Sequence, residues 1–263
     1  MTPAAGHDAD RLFRAEALSK RFGGVQAVQA ISFEITRGSV FALIGPNGAG
    51  KSTLLNLLNG ITTADAGRMW FGAVDLTGLA AYRRARLGLA RTFQKIRLFR
   101  HLTVLDNVLA GFHVHHHIPP WQYVLHGGAY RRDRARFREE ARELLAFVGL
   151  ADRAGVIAGS LPYGAQRMLE IARALATRPR LLMADEPAAG LNGAEVERLV
   201  ERLARLRERG LTLLVVEHNM DLVMSLADRV LVMDYGQRLL EGTPAEVQVN
   251  PTVVAAYLGE RVS

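Results

Sequence analysis

The nine residues Gly45-Pro46-Asn47-Gly48-Ala49-Gly50-Lys51-Ser52-Thr53 constrain this chain more than any other segment. They fit the pattern G-x-x-x-x-G-K-[ST], and they sit where that pattern carries meaning. Before them comes the five-residue apolar run Val40-Phe41-Ala42-Leu43-Ile44, bounded by Gly38 and Gly45, which predicts a strand buried on both faces. After them residues 52–59 place four leucines at helical spacing, and Gly60 stands at the C-cap side. A turn of this kind gathers consecutive backbone N–H groups into an anion-binding concavity that a Cβ would obstruct. The helix that follows adds unpaired N–H groups and about half a positive charge. Lys51 supplies a point charge for β- and γ-phosphates, and the Ser52 hydroxyl suits Mg²⁺.

Two further buried strands run into acidic or titratable residues. Residues 180–184 lead into Asp185-Glu186, residues 211–216 lead into Glu217-His218, and an amphipathic helix over 193–209 lies between them. This βαβ unit implies a parallel sheet with a right-handed crossover, whose ligands gather at the C-terminal strand ends. Asp185 is there to hold Mg²⁺ through water. Glu186, next along the strand and so directed to the opposite side, is placed to orient a water for in-line attack on a γ-phosphate. The alternation around Phe33 and Ile35 predicts a half-exposed strand, and residues 230–233 and 238–240 flank Asp234-Tyr235-Gly236 as a hairpin. From about 95 to 175 apolar strand runs vanish. Phe137, Ala141, Leu144, Leu145 and Val148, then Met168, Ile171, Ala172 and Leu175, recur at helical spacing, which predicts a helical insertion.

Composition removes several alternatives. Without cysteine there are no disulfides, thiolate metal sites, Fe–S clusters or cysteine nucleophiles, and a reducing compartment fits. No apolar run approaches the ~18–20 residues needed to span a bilayer, and the first ten residues do not read as a secretory signal. The net charge is +7, with only Lys20, Lys51 and Lys95 as lysines. That excess favours phosphate partners or an anionic membrane face, and a solvated arginine surface explains it equally. No basic run is interleaved with aromatics, so no nucleic-acid partner is expected. His113, His115, His116 and His117 lack a nearby carboxylate and precede Pro119-Pro120, so they read as a surface loop in preference to a metal site. Arg131, Arg132, Arg134, Arg136 and Arg138 read as a solvated helix face, with lipid head groups the alternative. Trp70 and Phe71 fit a strand or core contact better than a base-stacking platform.

At Leu161-Pro162-Tyr163-Gly164-Ala165, followed by Gln166, the chain resembles the L-S-G-G-Q signature of ABC-transporter nucleotide-binding subunits. The resemblance covers about residues 12–260. It places Phe22 at the adenine-stacking position, Gln94 as the Q-loop glutamine, Ala188-Ala189-Gly190-Leu191-Asn192 as the D-loop and His218 as the switch histidine. Leu89-Ala90-Arg91-Thr92-Phe93-Gln94, residues 161–175, Glu186-Pro187 with the D-loop, Glu217-His218-Asn219-Met220 and Ala256-Tyr257-Leu258-Gly259 are similar to the larger ATPase subunit of high-affinity branched-chain amino acid importers. Urea/amide-type importers and the lipopolysaccharide-export ATPase share much of this pattern, but the latter usually keeps glycine where Tyr163 stands.

The resemblance implies an α/β P-loop NTPase fold with a mostly parallel core sheet, an antiparallel β subdomain and a helical insertion subdomain. The core would span about 12–94 and 176–260, and the helical subdomain about 95–175. It implies ATP and Mg²⁺ as ligands, with Ser52, Gln94 and Asp185 at the metal, Glu186 as catalytic base and His218 at the γ-phosphate. Leu161, Pro162, Tyr163, Gly164, Ala165 and Gln166 would face the ATP of a second ATPase subunit, and residues 96–102 would pass movement to an integral membrane permease. A periplasmic binding protein would be an indirect partner, and the subunit would lie on the cytoplasmic face of the inner membrane. Two departures matter. Pro162 replaces the signature serine and offers neither hydroxyl nor N–H, so that contact either falls to the Gly164 and Ala165 N–H groups and the helix N-terminus or is lost, and Asn192 replaces the D-loop aspartate. Both agree with a heterodimer whose partner ATPase carries a different signature. A soluble ABC ATPase acting on nucleic acid or ribosomes usually has tandem cassettes or long coiled coils, and this chain has one P-loop and no sustained heptads. A small P-loop kinase would not account for residues 161–166 or His218.

Overall fold

A computed structural model describes residues 10–115 and 128–258, the side chains of 128–134 and 257–258 apart. Strands β1 (Arg11–Phe22), β2 (Val25–Thr36), β4 (Ala66–Phe71) and β5 (Val74–Asp75) form an antiparallel sheet in the order β2-β1-β4-β5. The second sheet contains β3 (Val40–Ile44), β6 (Leu89–Arg91), β7 (Leu181–Asp185), β8 (Thr212–Val216), β9 (Arg229–Asp234) and β10 (Gln237–Gly242), in the order β10-β9-β3-β8-β7-β6. All its pairings are parallel except the β9–β10 hairpin. Strand β3 is therefore internal, flanked by β8 and β9, and the loop that follows it emerges at the middle of the sheet edge.

The period of two along the strands divides the core. Phe41 and Leu43 of β3, with Leu181, Met183, Leu214 and Val216, pack on one face against the antiparallel sheet and helix α1 (Lys51–Asn59). Ala42 and Ile44 point the other way, with Val230 and Val232, towards Val223, Val247 and Val253 of α7 (Met220–Leu226), α8 (Pro244–Gln248) and α9 (Pro251–Leu258). The rest of that second face, with Leu182, Leu213 and Val215, is continuous with the apolar interior of the helical arm. The arm comprises α3 (Val104–Gly111), α4 (Gly128–Phe147) and α5 (Tyr163–Leu175), and Phe112 and Phe137 stack within it at 4.9 Å. Helix α6 (Gly193–Glu208) buries Leu199, Leu203 and Leu206 into the same cluster.

Helix α1 ends at Gly60, whose φ of 75° lets its N–H turn back onto the Asn56 and Leu57 carbonyls. Arg84 of α2 (Ala81–Arg86) completes that end. Its buried guanidinium donates to the carbonyls of Leu57, Leu58, Leu76 and Leu79, and burial pushes its pKa down to about 10.

Some expectations shift. His113 and His115 sit in a 3₁₀ turn over Phe112–His115 that continues α3, not in a loop, because the backbone tightens instead of breaking after Gly111. His116, His117, Pro119 and Pro120 lie outside the described residues, as do the side chains of Arg131, Arg132 and Arg134. Arg136 and Arg138 are exposed on α4, Arg136 paired with Glu140 at 3.5 Å. Phe71 is buried, whereas Trp70 carries the Arg14 guanidinium over its ring. Among the described residues no helix is long and apolar enough to cross a membrane.

Candidate nucleotide site

The turn from β3 into α1 is pressed between two other strands. Gly45 has φ 149°, and a Cβ there would lie 2.1 Å from the Met233 carbonyl oxygen of β9. Gly50 has φ 95°, and a Cβ there would lie 2.2 Å from the Ala27 carbonyl oxygen of β2. Only glycine fits either place. Lys51 is buried and donates to the Gly45 and Pro46 carbonyls at 2.5 and 2.8 Å. Helix α1 has no side-chain cap and no acidic residue in its first turn, so its leading N–H groups are offered to an anion. The β9–β10 turn splints the loop: the Gly236 N–H donates to Ala49 O at 3.1 Å, and Gly236 O accepts from the Gln29 N–H at 2.7 Å. The resulting cleft is lined by residues 47–53 with Val25, Gln26, Ala27, Gln94, Glu186 and Tyr235.

The structure thus brings Gln94 and Glu186 to the P-loop. Gln94 Nε2 donates to Glu186 Oε2 at 2.7 Å. Strand β7 already ends at Asp185, and Glu186 adopts φ 45°, a conformation uncommon for a side-chain-bearing residue. Its direction is therefore set by this left-handed turn, fixed by its N–H on Val216 O at 2.9 Å, and not by strand pleat. Asp185 goes elsewhere. Its buried carboxylate pairs with Arg91 Nη2 at 2.8 Å, while Arg91 Nη1 donates to Asn56 Oδ1 of α1 at 2.6 Å.

Five expected residues lie outside the cleft lining: Gly45 and Pro46 at the start of the P-loop, Asp185, Phe22 and His218. Phe22 is 51% exposed at the end of β1, with the Lys20 ammonium 5.4 Å above its ring. The aromatic that lines the cleft is Tyr235, 85% exposed at the β9–β10 turn. His218 is exposed in the loop after β8. Beside it Glu217 is fully buried, accepting from the N–H groups of Ala188 at 2.8 Å, His218 at 3.2 Å and Asn219 at 3.4 Å. Burial pushes the Glu217 carboxyl above its ordinary 4.5, although all three N–H groups favour the charged form.

The signature segment forms a separate surface. Pro162 is the N-cap of α5, Tyr163 its first residue, and Gln166 Nε2 donates to Leu161 O at 2.8 Å. Leu161 and Gly164 are buried, and Ala165 is part-exposed. A Cβ on Gly164 would lie 2.2 Å from Glu195 Oε1, and one on Gly190 would lie 2.8 Å from the Tyr163 ring. The first turn of α5 therefore rests directly on the D-loop. Asn192 caps α6 by accepting from Glu195 N–H at 3.0 Å, a role an amide oxygen fills as well as a carboxylate. Arg91, Tyr235 and Glu217 were not singled out for roles by sequence. The Asp185 partner of Arg91 lies far along the chain and the partners of Glu217 are backbone groups, although both residues fall inside motif-like stretches.

The donors fit a magnesium nucleotide but not a free-standing metal. Ser52 is exposed in the cleft beside Gln94 and Glu186, and among the described residues no three His, Cys, Asp or Glu gather by themselves. Mg²⁺ is usually held by few protein oxygens together with substrate phosphates, and the Ser52 hydroxyl in the cleft is an oxygen of that kind.

A P-loop at the middle of a mostly parallel sheet edge, an antiparallel sheet over α1 and a helical arm whose signature helix begins after Pro162 without a side-chain cap define an ATP-binding cassette. Residues 28–189 match the ABC transporter family, and residues 237–263 match the family described as branched-chain amino acid ATP-binding cassette transporter. The chain is 41% identical over 250 residues to the high-affinity branched-chain amino acid transport ATP-binding protein BraF of Pseudomonas aeruginosa, covering 95% of this chain and 98% of that protein. It is 42% identical, at the same coverage, to LivG of Salmonella typhimurium, which bears the same description. It also matches the crystal structure of the ADP conformation of MJ1267, an ATP-binding cassette of an ABC transporter, with TM-score 0.82, 32% identity and coverage of 95% and 99%. The chain belongs to the ABC transporter ATP-binding family, within its branched-chain amino acid group, and is an ATP-binding, ATP-hydrolysing transporter subunit.

Proposed function

We propose that this subunit powers import of branched-chain amino acids from the cytoplasmic face of the membrane, as one half of a head-to-tail ATPase pair. The observation that carries the catalytic reading is the Gln94–Glu186 hydrogen bond across the cleft from the P-loop. ATP would lay its phosphates on the loop N–H groups, and Lys51 would exchange the Gly45 and Pro46 carbonyls for β- and γ-phosphate oxygens. Gln94 would meet the γ-phosphate and release Glu186, whose carboxylate then orients and deprotonates the attacking water. His218 would approach the γ-phosphate from the neighbouring β8 edge. Ser52 and Gln94, with Asp185 through water, would hold Mg²⁺, which neutralises phosphate charge when bound.

The partner's α5 would close over this site, its Gly164 and Ala165 N–H groups serving in place of the hydroxyl that Pro162 lacks. ATP drives closure only to the extent that it binds the closed pair more tightly. A groove between arm and sheet, lined by Tyr82, Phe93, Phe99, Ala110, Val114 and Arg173, would receive a cytoplasmic helix of the permease. A periplasmic binding protein would act upstream, without touching this chain.

Lys51→Ala should abolish ATP binding. Glu186→Gln should retain binding and lower turnover by about 10²–10⁴-fold, the usual contribution of a general base. A Glu186→Gln enzyme with wild-type turnover would remove the catalytic assignment. Deletion of the gene should abolish high-affinity leucine uptake while leaving uptake of unrelated amino acids intact.

A further inference from the structure

Helix α5 carries a buried ion pair that the proposed chemistry leaves unused. Arg167 and Glu170, with side chains 0% and 2% exposed, meet at 2.9 Å one turn into the helix. Neither is spent on the other alone. Arg167 Nη1 donates to Phe93 O at 2.7 Å, and its Nη2 donates to Gln94 O at 2.8 Å and Tyr163 Oη at 3.2 Å. Glu170 Oε1 accepts from the N–H groups of Phe93 and Arg97, both at 3.3 Å. Two carbonyls and two N–H groups of residues 93–97 are thus held by one pair, which also holds the first residue of the signature helix.

Burying two charges is a poor way to fasten a helix, since apolar residues of similar volume often do as well. What an apolar pair cannot do is grip particular backbone groups with directional bonds. We propose that Arg167 and Glu170 are positioning residues that lock the Q-loop backbone to the first turn of α5, so that a change at Gln94 is delivered to Tyr163 and Gly164. The route is short: Glu186 to the Gln94 side chain, the Gln94 carbonyl to Arg167, Arg167 to Tyr163, and the Tyr163 ring onto Gly190 of the D-loop. One subunit's nucleotide contact would thereby set the shape of the surface it offers to the other subunit's ATP. The inference rests on the reading that Gln94 meets the nucleotide.

Amide hydrogen exchange on the full-length chain, with and without Mg-ATP, tests it. In the wild type, ATP should slow exchange together at residues 45–53, 93–97 and 161–168, by about tenfold or more at the first. The Arg167→Met/Glu170→Leu variant should bind a fluorescent ATP analogue with unchanged affinity and keep the response at 45–53, yet lose it at 161–168. Arg167→Lys, which keeps the charge but not the fork, should lose it too and serves if the double variant does not fold. A full response at 161–168 in either variant, or none there in the wild type despite a response at 45–53, overturns the proposal. No response at 45–53 in the wild type would instead defeat the nucleotide-site reading on which it stands.

Discussion

At the scale of single residues, the site places aromatic and acidic groups by backbone turns as much as by side-chain chemistry. Tyr235 reaches the P-loop cleft because it occupies a tight β9–β10 turn with φ 42°, followed by Gly236 at 77°. Phe22, the ring that family resemblance assigns to adenine, sits beneath Lys20 and outside the lining. Titration of Tyr235→Ala and Phe22→Ala with a fluorescent ATP analogue should show the larger loss of affinity for Tyr235→Ala; the reverse order would return base contact to Phe22. Glu217 makes a second prediction. Its folded pKa is raised by burial, so its contribution to stability is complete below the ordinary 4.5 and declines as pH climbs through the folded value. The melting temperature of wild type relative to Glu217→Gln should therefore fall as pH rises from 4.5 towards neutrality. A constant difference over that interval would show that burial does not control this charge.

At the scale of elements, the sequence was most legible where glycine punctuation and short apolar runs coincide. Strands β3, β7 and β8, helices α1 and α6, and the β9–β10 hairpin were all readable because their periodicity is local. Strand β1 was not, because register shifts against β2 and Ala17 at φ 47° break its alternation. Helix α2 is too short to show a period, and the importance of Arg84 within it lies in carbonyls of distant segments. Of the candidate site, the P-loop, Gln94 and Glu186 could be picked out by motif. The Arg91–Asp185 pair could not, since it joins residues 94 positions apart. Gly164 joins two elements directly. A methyl group there would push Glu195 away from the Asn192 N–H that its Oε2 now accepts. Gly164→Ala should cost about 0.5–2 kcal/mol, the usual worth of a lost cap. In a Glu195→Ala background, chemical denaturation should find that cost largely gone, and equal costs in both backgrounds would mean the two helices do not communicate through this contact.

At the scale of the whole molecule, the distribution of apolar side chains decides how the parts move. Leu182, Leu213 and Val215 of the sheet share a buried cluster with Phe112, Phe137 and Leu145 of the arm. The arm is not a bead on a string. It rides on the sheet through α5, whose Ile171, Ala172 and Leu175 are buried in that cluster, and the signature turn opens that same helix. Such a seam has no fault line at which heat could part the two halves. Scanning calorimetry should record a single endotherm whose van't Hoff and calorimetric enthalpies agree. Two resolved peaks would mean that the arm melts alone, and a lever that melts alone could not carry force from a nucleotide to a membrane.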